Sequence, residues 1–290
     1  MTLAPSELIL NEDGSIYHLH LLPHQLADTV ITVGDPDRVE QVTKHFDSIE
    51  FSVQKREFKT TTGVYQGKRI TVISTGIGTD NIDIVLNELD ALANIDFKTR
   101  TLKKDLKELN IIRLGTSGSI QKDIPVDRIL LTERALGFDA LLHFYQSDAI
   151  RDKAFEQAFV NHTSWNTEKS TPYCVSASKT LFNHFDSEEF FSGVTATNIG
   201  FYGPQGRQLR LKTEDAQLND KLENFDFKGT RITNLEMETS GIYGLCKLLG
   251  HRALSINAIL ANRATGVFSK DPAATVNHMI TTALARIASL

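Results

Sequence analysis

Short β-branched runs that alternate with helix-patterned segments narrow the folds open to this chain. The runs are TVITVG (29–34), RITVIST (69–75), NIIRLGTSGS (110–119), DRILLT (127–132), GVTATN (193–198), RITNLE (231–236) and ALSINAILANR (253–263). Strands spaced by helices predict an α/β sheet. A further strand is expected over 51–61, with a turn around Gly63 to Gly67. Asp35 as cap and Pro36 as first residue open a helix through about residue 46. Apolar residues at helical spacing predict helices over 81–95, near 149–161 and near 176–186, and from about 274 to 290. The segment 239–249 reads as a helix closed by Gly250. The charged stretch 98–109 is expected as a solvated helical extension, and residues 1–28 as an irregular N-terminal arm. With no repeat, low-complexity tract or linker, all 290 residues are expected to form one domain.

Bulk composition excludes several classes. A formal charge of −5 offers neither the basic excess that nucleic acid requires nor a polybasic tract for a membrane surface. No stretch approaches the roughly 18 apolar residues that span a bilayer. Cys174 and Cys246 are far apart and form no CxxC, so reduced thiols and a cytoplasmic location are expected, without a cysteine metal site.

Four stretches carry chemistry. In NLEMETSGIYGLCKLL (234–249), Glu236 and Glu238 flank Met237 where a strand gives way to a helix. Residues two apart on a strand face the same side, so both carboxylates are expected at one site, where they suit a sugar diol. The plainer alternative is that Glu238 caps the helix. Arg113 lies inside an apolar strand, and a buried guanidinium requires a carboxylate or an anion. After it, Gly115, Thr116, Ser117 and Gly118 offer amides and hydroxyls to phosphate oxygens. Gly34-Asp35-Pro36-Asp37-Arg38 joins a strand to a helix start and adds a cation, again suited to phosphate. Phe201, Gln205 and Arg207 in FYGPQGR suit a planar heterocycle. TGIGTDN (75–81) lacks the third glycine of a dinucleotide fingerprint.

Together these segments resemble the nucleoside phosphorylase-I family. The matching motifs are GDPDR (34–38), KREF (55–58), STGIG (74–78), RLGTSG (113–118), FYGPQGR (201–207), NLEME (234–238) and NR (262–263), in the family's order. The resemblance implies one α/β domain with a mixed, partly barrel-like central sheet flanked by helices. It also implies homodimers, often grouped as homohexamers, with active sites shared across the dimer interface. The implied activity is phosphorolysis: uridine plus phosphate gives uracil plus ribose 1-phosphate.

Carried over by position, phosphate falls to Gly34, Arg38, Arg113 and Thr116, with Arg56 entering the neighbouring subunit's site. Ribose falls to Glu236, Met237 and Glu238, with His18 reaching across to the 5′-hydroxyl and His20 as the alternative two residues on. The base falls to Phe201, Gln205 and Arg207, supported by Arg263. Arg113, Glu238 and Arg207 are the expected catalytic residues, while Ser117 and Ser119 are turn residues. No organic cofactor or metal is expected; inorganic phosphate is the co-substrate. Some relatives hold a monovalent cation near the positions of Glu57 and Ile77.

Purine-specific relatives place an aspartate on the last strand, where this chain reads Ala258 to Arg263 without one. That absence favours a pyrimidine. Departures from the pyrimidine pattern are the order Gly203-Pro204, the small Ala261 beside Leu260, the purine-like METSGIYGL and the long 98–109 segment. The rival readings are a purine nucleoside phosphorylase, a nucleosidase, and a silent nucleoside-binding protein on the same fold.

Overall fold

The structure, a computed structural model, describes residues 2–290. In chain order the elements begin with β1 (Thr29–Val33), α1 (Pro36–Thr43), β2 (Ser48–Lys55), β3 (Phe58–Tyr65), β4 (Lys68–Ser74) and α2 (Thr79–Asn94). Then come β5 (Ile95–Asp96), β6 (Thr101–Leu102), β7 (Asn110–Ser119), β8 (Ile129–Gly137), α3 (Lys153–Thr163), β9 (Tyr173–Ser176) and α4 (Lys179–Phe185). The order continues with β10 (Phe190–Thr197), α5 (Leu218–Glu223), β11 (Asp226–Phe227), β12 (Thr230–Glu236), α6 (Thr239–Leu249), β13 (Arg252–Asn262), β14 (Val267–Phe268) and α7 (Pro272–Ala288).

One large mixed sheet organises the chain in the order β11-β12-β10-β8-β13-β7-β1-β4-β3-β2. It also closes on itself, because β12 pairs antiparallel with β7 through Asn234 opposite Ser119 and Leu235 opposite Gly118. Strands β12, β10, β8, β13 and β7 therefore form a ring, and the sheet runs on from β7 as an open blade. This is the mixed, partly barrel-like α/β architecture that the family resemblance implies. The β12–β7 pairing matters for function, since it brings the end of NLEME against the RLGTSG strand.

The elements form for local reasons. β1 is buried at all five positions and lies parallel between β4 and β7, which is why it reads as an unbroken apolar run. The Asp35 carboxylate accepts the Asp37 N–H at 2.9 Å and caps α1, with Pro36 at its first position. α6 ends at Gly250, whose φ of 79° suits glycine. α7 buries Val276, Met279, Ile280, Ala283, Leu284 and Ile287, one stripe at helical spacing, against core residues of the strands. Each of its large aliphatic side chains contributes about 1.5–3 kcal/mol by leaving water.

Four local expectations need correction. The run 51–61 is not one strand: the chain reverses at Arg56-Glu57 to make the hairpin of β2 and β3. Residues 98–109 contain no helix. Instead Asp96 accepts the Lys98 and Thr99 N–H groups, β6 folds back on β5, and Leu102 and Leu106 remain exposed. The helical spacing there had no apolar surface to pack on, so local side-chain–backbone bonds prevailed. Finally, β9 lies at the front of the segment expected as helix 176–186 and pairs with β8, leaving only Lys179–Phe185 helical. β8 also starts at Ile129 and runs past Thr132 to Gly137, where 127–132 was expected.

Candidate active site

The ends of β1, β7 and β12 face one cavity of about 910 Å³. Its wall includes Gly34, Arg38, Arg113, Thr116, Phe201, Gln205, Arg207, Glu236, Met237 and Glu238. These expected site residues come from four separate stretches of sequence, and the fold gathers them.

Arg113 lies at the floor and is 5% exposed. Its Nη2 donates to Glu238 Oε2 at 2.5 Å and lies 3.2 Å from Glu236 Oε2, while Nη1 donates to Asn257 at 2.9 Å. Two carboxylates therefore answer this buried cation, and its burial alone calls for no anion. Two of the five N–H donors of the guanidinium are engaged in hydrogen bonds, with the Glu236 carboxylate beside them. Burial opposes the Arg113 charge, but the two carboxylates outweigh it and raise the guanidinium above its ordinary value.

The carboxylates have different surroundings. Glu236, the last residue of β12, accepts the Glu238 N–H (2.9 Å), the Thr239 N–H (3.0 Å), the Thr239 hydroxyl (2.9 Å) and the Thr197 hydroxyl (2.6 Å). It thus satisfies the free amides that open α6. Glu238 has left the strand and stands at the helix entry with φ −134° and ψ −29°. Its Oε1 accepts the Gly78 N–H at 2.8 Å and its Oε2 accepts Arg113. Strand alternation is thus not what brings the pair together: the chain turns after Glu236, and both carboxylates converge on one guanidinium. Glu238 holds the N-cap position of α6 without a side-chain capping bond, and the carboxylate that caps the helix is that of Glu236. Burial raises the Glu238 carboxyl above its ordinary value, with Arg113 opposing and Glu236 reinforcing the shift.

Arg38 differs from Arg113. It lines the cavity from α1, its Nε is buried without a hydrogen-bond partner, and no carboxylate among the described residues forms an ion pair with it. Burial and then the neighbouring Arg113 cation push its guanidinium below the ordinary value. That is a cation short of counter-charge, next to the Gly34 backbone and Thr116 on the same wall.

At the other end, Gln205 is buried at 3% exposure and its Oε1 accepts Arg207 Nη1 at 2.5 Å. Arg207 also donates to the Phe201 carbonyl at 2.6 Å, and its guanidinium lies 3.8 Å from the centre of the Phe201 ring. Arg263 donates to the Gln205 carbonyl at 2.6 Å, bracing the loop from the end of β13 without lining the cavity. Burial, with Arg207 nearby, lowers the Arg263 guanidinium to about 10.

Arg56, His18 and His20 are not brought to this cavity. Arg56 is exposed at the β2–β3 turn with φ 56°, while its neighbour Glu57 lines the cavity rim with Ile77. The His18 Nδ1 pairs with Glu88 at 2.6 Å, and His20 pairs with Asp13 at 2.9 Å. Among the described residues no three His, Cys, Asp or Glu side chains form a metal-binding group.

Asn257 and Gly78 escaped the reading of the sequence. Asn257 carried a usable signal, since a polar residue within the apolar β13 mirrors Arg113 within β7. The Gly78 contribution is a backbone amide, and no residue type reports that. Leu260 and the exposed Phe268 also line the cavity, on β13 and the β14 flap.

Known proteins resemble this chain over most of its length. A uridine phosphorylase from Thermococcus kodakarensis is 29% identical over 265 residues, covering 89% of this chain and 82% of that protein. A DeoD-type purine nucleoside phosphorylase from Shewanella loihica is 28% identical over 270 residues, covering 91% and 94%. The crystal structure of a Trypanosoma brucei nucleoside phosphorylase that shows uridine phosphorylase activity superposes with a TM-score of 0.87 at 29% identity, covering 98% of this chain and all of that one. The family model described as the phosphorylase superfamily matches residues 28–290. The chain belongs to the phosphorylase superfamily.

Proposed function

We propose that this protein is a pentosyltransferase that cleaves uridine with phosphate, giving uracil and ribose 1-phosphate. The observation that carries the reading is Arg38, a largely buried cation without a carboxylate partner on the cavity wall beside the Arg113–Glu238 pair. Phosphate supplies the counter-charge that Arg38 lacks. It is received by the Gly34 amide, Arg38, Thr116 and the free donors of Arg113. Glu238 accepts hydroxyls of the ribose, and Met237 packs on the sugar. Glu236, whose oxygens are already occupied, holds Glu238 and the α6 entry in place.

In the reaction the bond from C1′ to the uracil nitrogen breaks and a bond from C1′ to a phosphate oxygen forms. The electron pair of the broken bond passes to the uracil ring and its carbonyl oxygens. Arg207, held by Gln205 and stacked on Phe201, donates to that developing charge. The anionic ring then takes up, through water, the proton that phosphate gives up on becoming the ester. Holding phosphate and sugar in line supplies the remaining advantage.

Arg56 and His18 are assigned to the site of a neighbouring copy, which makes a homodimer or a homohexamer of dimers the working assembly. A monovalent cation beside Glu57 and Ile77 belongs to the same rim and is tested by potassium dependence. No helix among the described residues is long and apolar enough to cross a membrane. A cytoplasmic setting suits the two buried, unpaired thiols of Cys174 and Cys246.

The test is release of free base from uridine, thymidine, inosine and adenosine, each with and without phosphate. Phosphate-dependent uracil release is expected. Release without phosphate would make the protein a nucleosidase, and no release would make it a silent binder. A purine base is the second reading, favoured by the small Ala261 on the cavity wall; hypoxanthine or adenine release in place of uracil would establish it.

A further inference from the structure

The His18 loop and the Arg56 turn are not independent: both are attached to Lys55. The Lys55 ammonium donates to the Tyr17 carbonyl at 2.5 Å and to the Asn11 side-chain oxygen at 3.1 Å, and it lies 4.7 Å from the centre of the Tyr17 ring. Tyr17 precedes His18 in the chain, and Lys55 precedes Arg56. Asn11 in turn gathers the loop by donating to Ser15 Oγ and the Ile16 carbonyl, both at 2.9 Å. On the far side of His18, the Glu88 carboxylate accepts the His18 N–H at 3.0 Å, the Leu19 N–H at 2.8 Å and the ring Nδ1 at 2.6 Å. The imidazole also lies edge-on to Phe58, at 6.5 Å between ring centres, and Phe58 pairs with Lys55 across the β2–β3 hairpin.

We propose that Lys55 is a positioning residue that joins the N-terminal arm to the β2–β3 turn, so that His18 and Arg56 are offered to the neighbouring copy as one unit. The proposal rests on the reading above, in which these two residues complete a neighbour's site. The physical reason is entropic. One charged group bound to both the Tyr17 loop and the strand that enters the turn restricts their relative freedom before substrate arrives. Lys55 touches neither the cavity nor substrate and acts only through what it holds. The ammonium suits the task because it has three donors and reaches two acceptors and a ring face together.

The experiment is a double-mutant cycle on the full-length protein in its native assembly, measured as uridine and phosphate saturation curves. Lys55→Met is expected to raise the KM for uridine about tenfold, as loss of one charge-assisted hydrogen bond does, with kcat changed far less. In a His18→Ala background the same Lys55→Met change is expected to have no further effect on the uridine KM. Lys55→Arg, which keeps the charge and the donors, is expected to restore most of the loss. Melting curves of each variant check that the fold is intact, and Lys55→Gln replaces Lys55→Met if the latter unfolds. If His18→Ala is impaired while Lys55→Met is normal, or if the two losses simply add, the proposal is overturned. If His18→Ala and Arg56→Ala are both inert, the shared-site reading fails, and the proposal fails with it.

Discussion

A Cβ built on Gly115 would lie 1.8 Å from Nη1 of Arg113. Both residues are on β7, two positions apart and so on one face, and the guanidinium of Arg113 lies back over the glycine toward Asn257 and Glu238. Asn257 is the residue paired with Gly115 on β13. The absent side chain makes the space in which the buried cation meets its partners. Gly115→Ala is therefore expected to displace Arg113 from its partners and to cost about 3–5 kcal/mol of stability, the penalty for uncoupling a buried charge. Denaturant unfolding measures it, and a loss under about 1 kcal/mol would show that the guanidinium has another place to go.

Arg38 has an opposite need, a counter-charge from outside the chain. Arg38→Met is expected to raise the phosphate KM about 10–100-fold, the range for losing one or two hydrogen bonds to a charged group. The uridine KM is expected to change little. Phosphate saturation at fixed uridine decides it, and an unchanged phosphate KM would move the phosphate site elsewhere.

Glu238 sets an acid limit to activity. In the proposed reaction its ionised form accepts the sugar hydroxyls, and burial raises its carboxyl above the ordinary value. As pH falls through that raised value the acceptor is lost, so kcat/KM is expected to drop on the acid side, above the ordinary carboxylate range. The sign for stability is the reverse. A raised folded-state value means that the folded protein binds the proton more tightly than the unfolded chain, so this group's contribution is full below the unfolded value and is lost as pH rises through the folded one. Glu238→Gln is expected to lower kcat/KM about 100-fold or more and to remove the acid limb. A pH–rate profile tests it, and an unchanged acid limb would contradict it.

Glu236 is expected to show the opposite balance. Its carboxylate receives two backbone amides and two hydroxyls at the α6 entry and faces Arg113. Glu236→Ala leaves these buried donors unmet, at a cost of about 3 kcal/mol or more. Calorimetry reads the loss, and a stable Glu236→Ala variant with only a raised uridine KM would return Glu236 to the sugar.

At the base end, Gln205→Ala frees Arg207 from its amide partner, and Arg207→Ala removes the donor itself. Each is expected to lower kcat/KM for uridine about 10–100-fold while phosphate affinity stays within about twofold, consistent with one lost transition-state hydrogen bond. Competition between uridine and inosine checks the assignment. An equal loss for both would show that the pair supports the loop and does not read the base.

Much of this site was legible in the chain because its signals are local violations of pattern. Arg113 stands out as the one charged residue of β7, whereas Asn257, a neutral polar residue in the middle of β13, is easily passed over. Gly34-Asp35-Pro36 announces a strand, a cap and a helix in three residues. The carboxylates of NLEME were visible as a pair, yet their division of labour was not. Strand periodicity predicts that positions two apart share a face, but β12 ends at Glu236, so the rule stops one residue too early. The 98–109 segment misled in the other direction. Its spacing and charges favour a helix in isolation, and the choice went to Asp96, to the β5–β6 pairing and to Arg100, which donates to the Leu3, Ala4 and Leu8 carbonyls of the arm.

Residue order alone settled the class of fold, the succession of elements and the chemical kinds at the site, because caps, glycines and apolar periods act over a few residues. Tertiary structure decided which cation is paired and which is left open. Arg38 and Arg113 look alike as letters, but β12 closing against β7 delivers two carboxylates to one and none to the other. Ion pairing falls off over a few ångströms, so residues 125 positions apart acquire it only when the ring of strands shuts.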